Sequence, residues 1–158
     1  MAKKLQVIEL TEESFKEFGQ VITTEGKTPD AGDENFDWFE KLSAFQGIDT
    51  VSVNILTCKQ RPFHLDRLEV HKETNEAVIA LGGGDVIAAF APAGELDESK
   101  IKAFRIPGNK GIVLNVGVRH FIPYPLNGDT YCVIIFKHAT GANDLVFEHL
   151  SDVYEMVI

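Results

Sequence analysis

A chain of 158 residues, 44% hydrophobic and 25% charged, is long enough to bury a substantial core and fits one domain, residues 1–158. Its formal net charge of −9 excludes nucleic acid and anionic membranes as partners, since both require a basic surface. No run approaches the roughly 18 apolar residues that span a bilayer, and the basic start MAKK is not followed by the apolar core of a signal peptide.

The first predicted element is a strand over Leu5 to Leu10, where LQVIEL alternates. Thr11 follows as a helix N-cap, with Glu12 and Glu13 in the first turn and Gly19 as the stop. Phe15 and Phe18 fall three apart and face the core from this one short helix. Gly19 to Trp38 is rich in Gly, Asp, Thr and Lys and reads as a long loop. Its aromatic end, NFDWF (Asn35 to Phe39), reads as an anchor of that loop in the core ahead of the other reading, a substrate wall. From Val51 onward strands succeed one another: VSVNILTC, AVIAL, DVIAAFAP, IKAFRI, GIVLNVGV and TYCVIIFK. Pro92-Ala93-Gly94 and Pro107-Gly108-Asn109 are the turn signals. Gly82-Gly83-Gly84 precedes a strand and not a helix, so it reads as a tight hairpin and not a phosphate cradle. Cys58 and Cys132 lie within two of the strand runs, make no disulfide framework, and fit buried thiols in a reducing cytoplasm. Asn143 to Ile158 reads either as a closing strand or as a short helix. Strands at this spacing predict a mainly β protein, an antiparallel sandwich or barrel with one short N-terminal helix.

The chemistry is concentrated in LEVHKETNEAVIALGG, Leu68 to Gly83. Glu69 and His71 are two apart, so on a strand they project from one face. Glu76 lies an odd number of residues further on and joins them only if Lys72-Glu73-Thr74-Asn75 turns the chain. The barrel must then bring His120 to this segment. Imidazole with carboxylate suits Ni, Zn, Mn or Fe(II), so Glu69, His71, Glu76 and His120 are the predicted ligands of a divalent metal; no organic cofactor is expected. His64, His138 and His149 read as structural or surface residues.

The spacing Glu69-x-His71-x4-Glu76-x6-Gly83 resembles the first motif of the cupin superfamily, with Glu69 where its first histidine usually stands and Phe63 in place of its leading glycine. Gly111-x5-Gly117-x2-His120 resembles a shortened second cupin motif, with Asn115 where that motif has proline. A narrower resemblance covers nearly the whole chain. LQVIELTEESFKEFGQVI looks like the amino terminus of the ureidoglycolate lyase family, and LEVHKETNEAVIAL resembles its central segment, approximately LERHPxxxQAFIPL. ELDESKIKAFRIPGNKGI is similar to its acidic turn, Ala-Phe strand and glycine, and GVRHFIPYPL lies where the family has GVWHHPL. The resemblance implies a cupin-type antiparallel β-barrel (double-stranded β-helix) that forms a cytoplasmic homodimer. It implies a carbon–nitrogen lyase of the amidine-lyase type, splitting ureidoglycolate into glyoxylate and urea in purine (allantoin) breakdown. Departures fall beside the site: Glu76 replaces a glutamine, Phe121 the second histidine and Arg119 the tryptophan, while Val113 and Asn115 stand where the family commonly has Asn and His.

Ureidoglycolate is a carbinolamide, so removal of its hydroxyl proton lets the C–N bond break. Glu69 or Glu76 is the expected base, acting with His120 as the catalytic set, and a bound metal acts as Lewis acid. Arg61, Arg67 or Arg119 is expected to hold the substrate carboxylate through a bidentate fork, with Arg119 preferred because it adjoins His120. Two other readings stay open: a cupin-fold small-ligand-binding or regulatory protein without turnover, and a different metal-dependent cupin enzyme.

Overall fold

The computed structural model describes residues 2–158. Its strands are β1 (Lys3–Glu9), β2 (Gly19–Ile22), β3 (Ala31–Gly32), β4 (Asp37–Trp38), β5 (Val51–Cys58), β6 (His64–Val70) and β7 (Glu76–Ala80). There follow β8 (Val86–Ala91), β9 (Lys102–Ile106), β10 (Gly111–Leu114), β11 (Arg119–His120), β12 (Tyr124–Pro125), β13 (Thr130–Lys137) and β14 (Val146–Val157). The one-turn helices are α1 (Glu12–Phe15) and α2 (Thr140–Asn143).

Six strands close on themselves. β6, β14, β1, β9, β8 and β11 are each bonded to the next, and β11 returns to β6. A five-stranded antiparallel sheet, β2-β10-β7-β13-β5, packs against this barrel. The apolar run DVIAAFAP becomes β8, buried on both faces. Ile87, Ala89 and Ala91 point into the barrel with Leu65, Leu68 and Tyr124. Val86, Ala88 and Phe90 point the other way, into a core shared with Val78, Ile112 and Ile134 of the five-stranded sheet. Period-2 alternation thus serves two separate cores from one strand.

The mainly β barrel is the expected one, with one departure in strand direction. β1 runs parallel to both neighbours, β14 and β9. The first strand of the chain is inserted between two later ones, a pairing that alternation alone does not specify. The last segment settles as the closing strand β14, preceded by the turn α2.

Other local expectations are corrected. The helix after Thr11 lasts a single turn, although its cap is as predicted: Ser14 N–H donates to Thr11 Oγ1 at 3.0 Å and Thr11 N–H to Ser14 Oγ at 3.0 Å. Phe15 and Phe18 pack against Phe90 and Phe104 with ring centroids 5.2–6.0 Å apart, and that packing turns the chain before Gly19 is reached. Gly19–Ile22 is not loop but strand, antiparallel to β10. Phe36 and Trp38 are more than half exposed and anchor nothing in the core. Gly82-Gly83-Gly84 is not a hairpin, because β7 and β8 belong to different sheets and do not pair. It is a crossing point: Gly83 is left-handed (φ 71°), and a Cβ on Gly108 would lie 1.9 Å from the Gly83 carbonyl oxygen. Cys58 and Cys132 are buried free thiols with sulfurs 3.9 Å apart. Among the described residues, no helix is long and apolar enough to cross a membrane.

Candidate active site

Register brings the first two groups together. In the pairing of β11 with β6, His120 lies directly opposite Glu69, so their side chains share a face. His120 also lies opposite Phe90 of β8, whose ring faces the same space. His71 stands just past the end of β6, two residues beyond Glu69. Residues 72–75 then cross to the facing sheet, where Glu76 opens β7. That turn is tied down at several points. The Asn75 amide donates to the Leu114 carbonyl at 2.9 Å, and Lys137 N–H donates to Thr74 Oγ1 at 2.9 Å. The odd spacing to Glu76 is thus absorbed by the change of sheet.

The four side chains meet at one end of a cavity of about 290 Å3 between the barrel and the five-stranded sheet. His71 Nε2 is 3.0 Å from Glu76 Oε2. His120 Nε2 is 3.4 Å from both Glu69 Oε1 and Glu76 Oε2. Glu69, His71 and His120 each offer a ligand atom within 4.8 Å of the others. Both imidazoles are oriented from behind. His71 Nδ1 donates to the Asp144 carbonyl at 2.5 Å, and His120 Nδ1 donates to the Val118 carbonyl at 3.1 Å. Each Nε2 is therefore left facing the cluster, the arrangement by which outer partners fix metal-binding imidazoles.

His120 Nε2 is fully buried and lacks a hydrogen-bond partner. A buried polar nitrogen left so is costly unless something else occupies the space it faces. Two imidazoles and two carboxylates converging there form a donor set that fits a divalent ion.

Electrostatics couple the four groups. Burial opposes a charge on His120, but Glu76 and then Glu69 outweigh it and hold its pKa up at about 9. Burial likewise opposes the charge of Glu76, which His120 and His71 outweigh, taking it down to about 2. His71 is raised despite its burial, because it bonds Glu76 and the Asp144 carbonyl. Glu69 is raised chiefly by burial, which its imidazole neighbour does not cancel. Without an ion the cluster is a compact salt bridge; binding one would displace protons from the imidazoles.

The expected arginines are elsewhere. Arg119 leaves the strand on the face opposite His120, as alternation requires, and is buried. Its guanidinium is taken up by Glu148 and by the carbonyls of Gly94 at 2.8 Å and Pro92 at 3.3 Å, so the role of substrate clamp is corrected to a structural tie. Arg61 donates to the Ile122 carbonyl at 2.6 Å and the Pro123 carbonyl at 3.2 Å, with its guanidinium carbon 3.8 Å from the centre of the Tyr124 ring. It braces the cavity rim from outside and is not among the lining residues, which corrects the second clamp. His64, His138 and His149 are exposed, away from the cavity.

Three contributors carried no signal in the sequence. Asp144 orients His71 through its carbonyl and accepts from the backbone N–H groups of Lys72 and Glu73, each at 2.8 Å, through its carboxylate. Asn54 lines the cavity from β5 while its amide donates to the Ile134 carbonyl at 3.1 Å. Phe136 sets its ring against His71 at 5.8 Å between centroids.

The family model described as ureidoglycolate lyase matches residues 2–156. Among curated relatives, the ureidoglycolate lyase of Burkholderia mallei (strain NCTC 10229) is 30% identical over 147 residues, covering 89% of this chain and 86% of its own. That of Pseudomonas savastanoi pv. phaseolicola is 30% identical over 125 residues, covering 75% and 74%. Among solved structures, RmlC from Streptococcus suis aligns over 68% of this chain and 61% of its own with a TM-score of 0.42 and 14% identity. A family match from end to end, on a chain that also brings its carboxylates and imidazoles to one cavity, means that this protein belongs to the ureidoglycolate lyase family.

Proposed function

We propose that this protein is a lyase that cleaves ureidoglycolate, or a closely related 2-hydroxy acid derivative, to glyoxylate and urea by carbon–nitrogen bond scission of the amidine-lyase type. Membership of the family supports the reaction class. The observation that carries the chemistry is His120 Nε2, buried without a hydrogen-bond partner and facing two carboxylates and a second imidazole at the end of a cavity. Glu69, His71, Glu76 and His120 are the residues that would hold a divalent ion. Such an ion supplies Lewis acidity toward the hydroxyl of a 2-hydroxy acid.

The chain's own groups divide the proton work. Glu76 is clasped by both imidazoles and serves as the anchor of the cluster. Glu69 is the freer carboxylate, 17% exposed against 7% for Glu76 and paired within 4 Å with one imidazole where Glu76 meets two. Glu69 takes the carbinol proton as the C–N electron pair moves to nitrogen, and returns it to the leaving nitrogen, so that one carboxylate serves as base and then acid. The apolar walls keep bulk water from competing for that proton.

The protein acts in the cytoplasm, in purine (allantoin) breakdown, as a homodimer. Val53 and Ile55, 68% and 58% exposed on the edge strand β5, support a surface covered by a second copy. Light scattering after gel filtration should give twice the mass of the chain; a monomer would remove that part.

The central test is metal analysis of freshly purified protein together with an assay of glyoxylate release from ureidoglycolate, alone and with Ni(II) or Mn(II). Bound divalent metal near one per chain and release of glyoxylate are expected. No release under any of these conditions overturns the lyase reading and leaves the fold untouched.

A further inference from the structure

The cavity is built for more than its polar end. Ureidoglycolate is polar along its whole length, with a carboxylate, a hydroxyl and a ureido group. The polar side chains lining the cavity are the four of the cluster and Asn54, whose amide is already bonded to the backbone of β13. Among the described residues, no lysine or arginine lines the cavity. The remaining walls include Val78, Ala88, Phe90, Ile112, Ile134 and Phe136. At about 290 Å3 the cavity has room for on the order of twenty water-sized atoms at ~15 Å3 each, more than ureidoglycolate fills. A ureido group reaching into those walls would surrender its hydrogen bonds to water and find no partners.

We infer that the substrate class is the N-acyl 2-hydroxyglycines whose acyl group is apolar, with the ureido leaving group replaced by a hydrophobic primary amide. The inference rests on the lyase reading and deepens it. The carboxylate and hydroxyl meet the wall formed by Glu69, His71, Glu76 and His120, and the acyl group occupies the apolar chamber. The bonds balance without any further reactant. The hydroxyl proton leaves, the carbinol C–N bond breaks with its electron pair going to nitrogen, a carbonyl forms at the carbinol carbon, and nitrogen takes one proton. The products are glyoxylate and the free amide.

The experiment compares kcat/KM for ureidoglycolate and N-benzoyl-2-hydroxyglycine, with glyoxylate release as the common readout, and measures product inhibition by benzamide and urea. Burial of the phenyl ring should raise kcat/KM for the benzoyl compound by roughly ten- to a hundredfold over ureidoglycolate, with benzamide inhibiting more tightly than urea by a similar factor. Equal or higher kcat/KM for ureidoglycolate overturns the inference and leaves the lyase reading standing. Release from neither compound overturns both. Ala88→Phe, which fills the chamber, should bring the ratio of the two kcat/KM values toward one; an unchanged ratio in a folded variant places the acyl group elsewhere and overturns the assignment.

Discussion

The two faces of β8 meet two kinds of interior. Ile87, Ala89 and Ala91 look into a barrel closed by backbone bonds on every side, where Leu65, Leu68 and Ala103 are all fully buried. Val86, Ala88 and Phe90 look into the space between that barrel and a second sheet, and there the packing leaves a cavity. The difference is one of connectivity. A closed ring fixes its diameter by hydrogen bonding and must be filled by side chains. Two sheets that share no hydrogen-bonded ladder, joined only by chain crossings and side-chain packing, can stand apart between their facing residues. The closed region supplies rigidity, and the open one supplies the site, with Glu69 and His120 delivered from the rigid side.

That contrast can be broken most severely at the point where the regions meet. His120→Ala should lower glyoxylate release by roughly 10²–10⁴-fold, the scale of lost acid–base and metal support, with circular dichroism showing the barrel retained. A variant that keeps near-full activity would mean that the cluster is not the reaction centre. A sharper comparison uses neighbours. Ala89→Leu overpacks the closed barrel and should cost about 1–3 kcal/mol in urea denaturation. Ala88→Leu pushes the same side chain into the cavity and should cost distinctly less. Equal losses at the two positions would show the inter-sheet space to be as tightly filled as the barrel.

The smallest expected effect lies at Arg119. Glu148 is held below the usual carboxylate range because the Arg119 guanidinium hydrogen bonds to it. A carboxyl whose folded pKa is depressed contributes stability above its unfolded value, near ~4.3, and loses that contribution as pH falls through the folded one. Glu148→Gln should therefore lower stability at neutral pH by about 1 kcal/mol, discounted for the exposure of the carboxylate. The gap from the parent protein should close in acid. A gap that widens as pH falls would contradict the pairing.

Much of the site was legible because its logic is local. Glu69 and His71 share a face by the two-residue period of a strand, and the polar turn before Glu76 was a sufficient cue that the chain redirects there. Alternation and turn spacing left a sandwich or a barrel, and the family resemblance narrowed that to the barrel. The partners of Arg119 were not, since Glu148 lies in a segment that reads equally as strand or helix and Gly94 and Pro92 supply only carbonyls. Nor was the parallel pairing of β1, because a half-buried strand shows the same alternation whichever way its neighbours run. The triple glycine misled for a similar reason: a crossing between sheets and a hairpin both demand residues without side chains. The exposure of Phe36 and Trp38 follows from the short β3–β4 ladder, which holds their loop by backbone bonds and leaves the rings outside.

The parallel insertion of β1 between β9 and β14 ties together segments that lie far apart in the chain. Both edges of β1 are covered only once β9 and β14 have docked, a long-range pairing of the kind that slows folding. Asp144, which aims His71, sits two residues before β14. The segment that covers β1 thus also carries the group that orients an imidazole of the cluster, which couples closure of the barrel to assembly of the site.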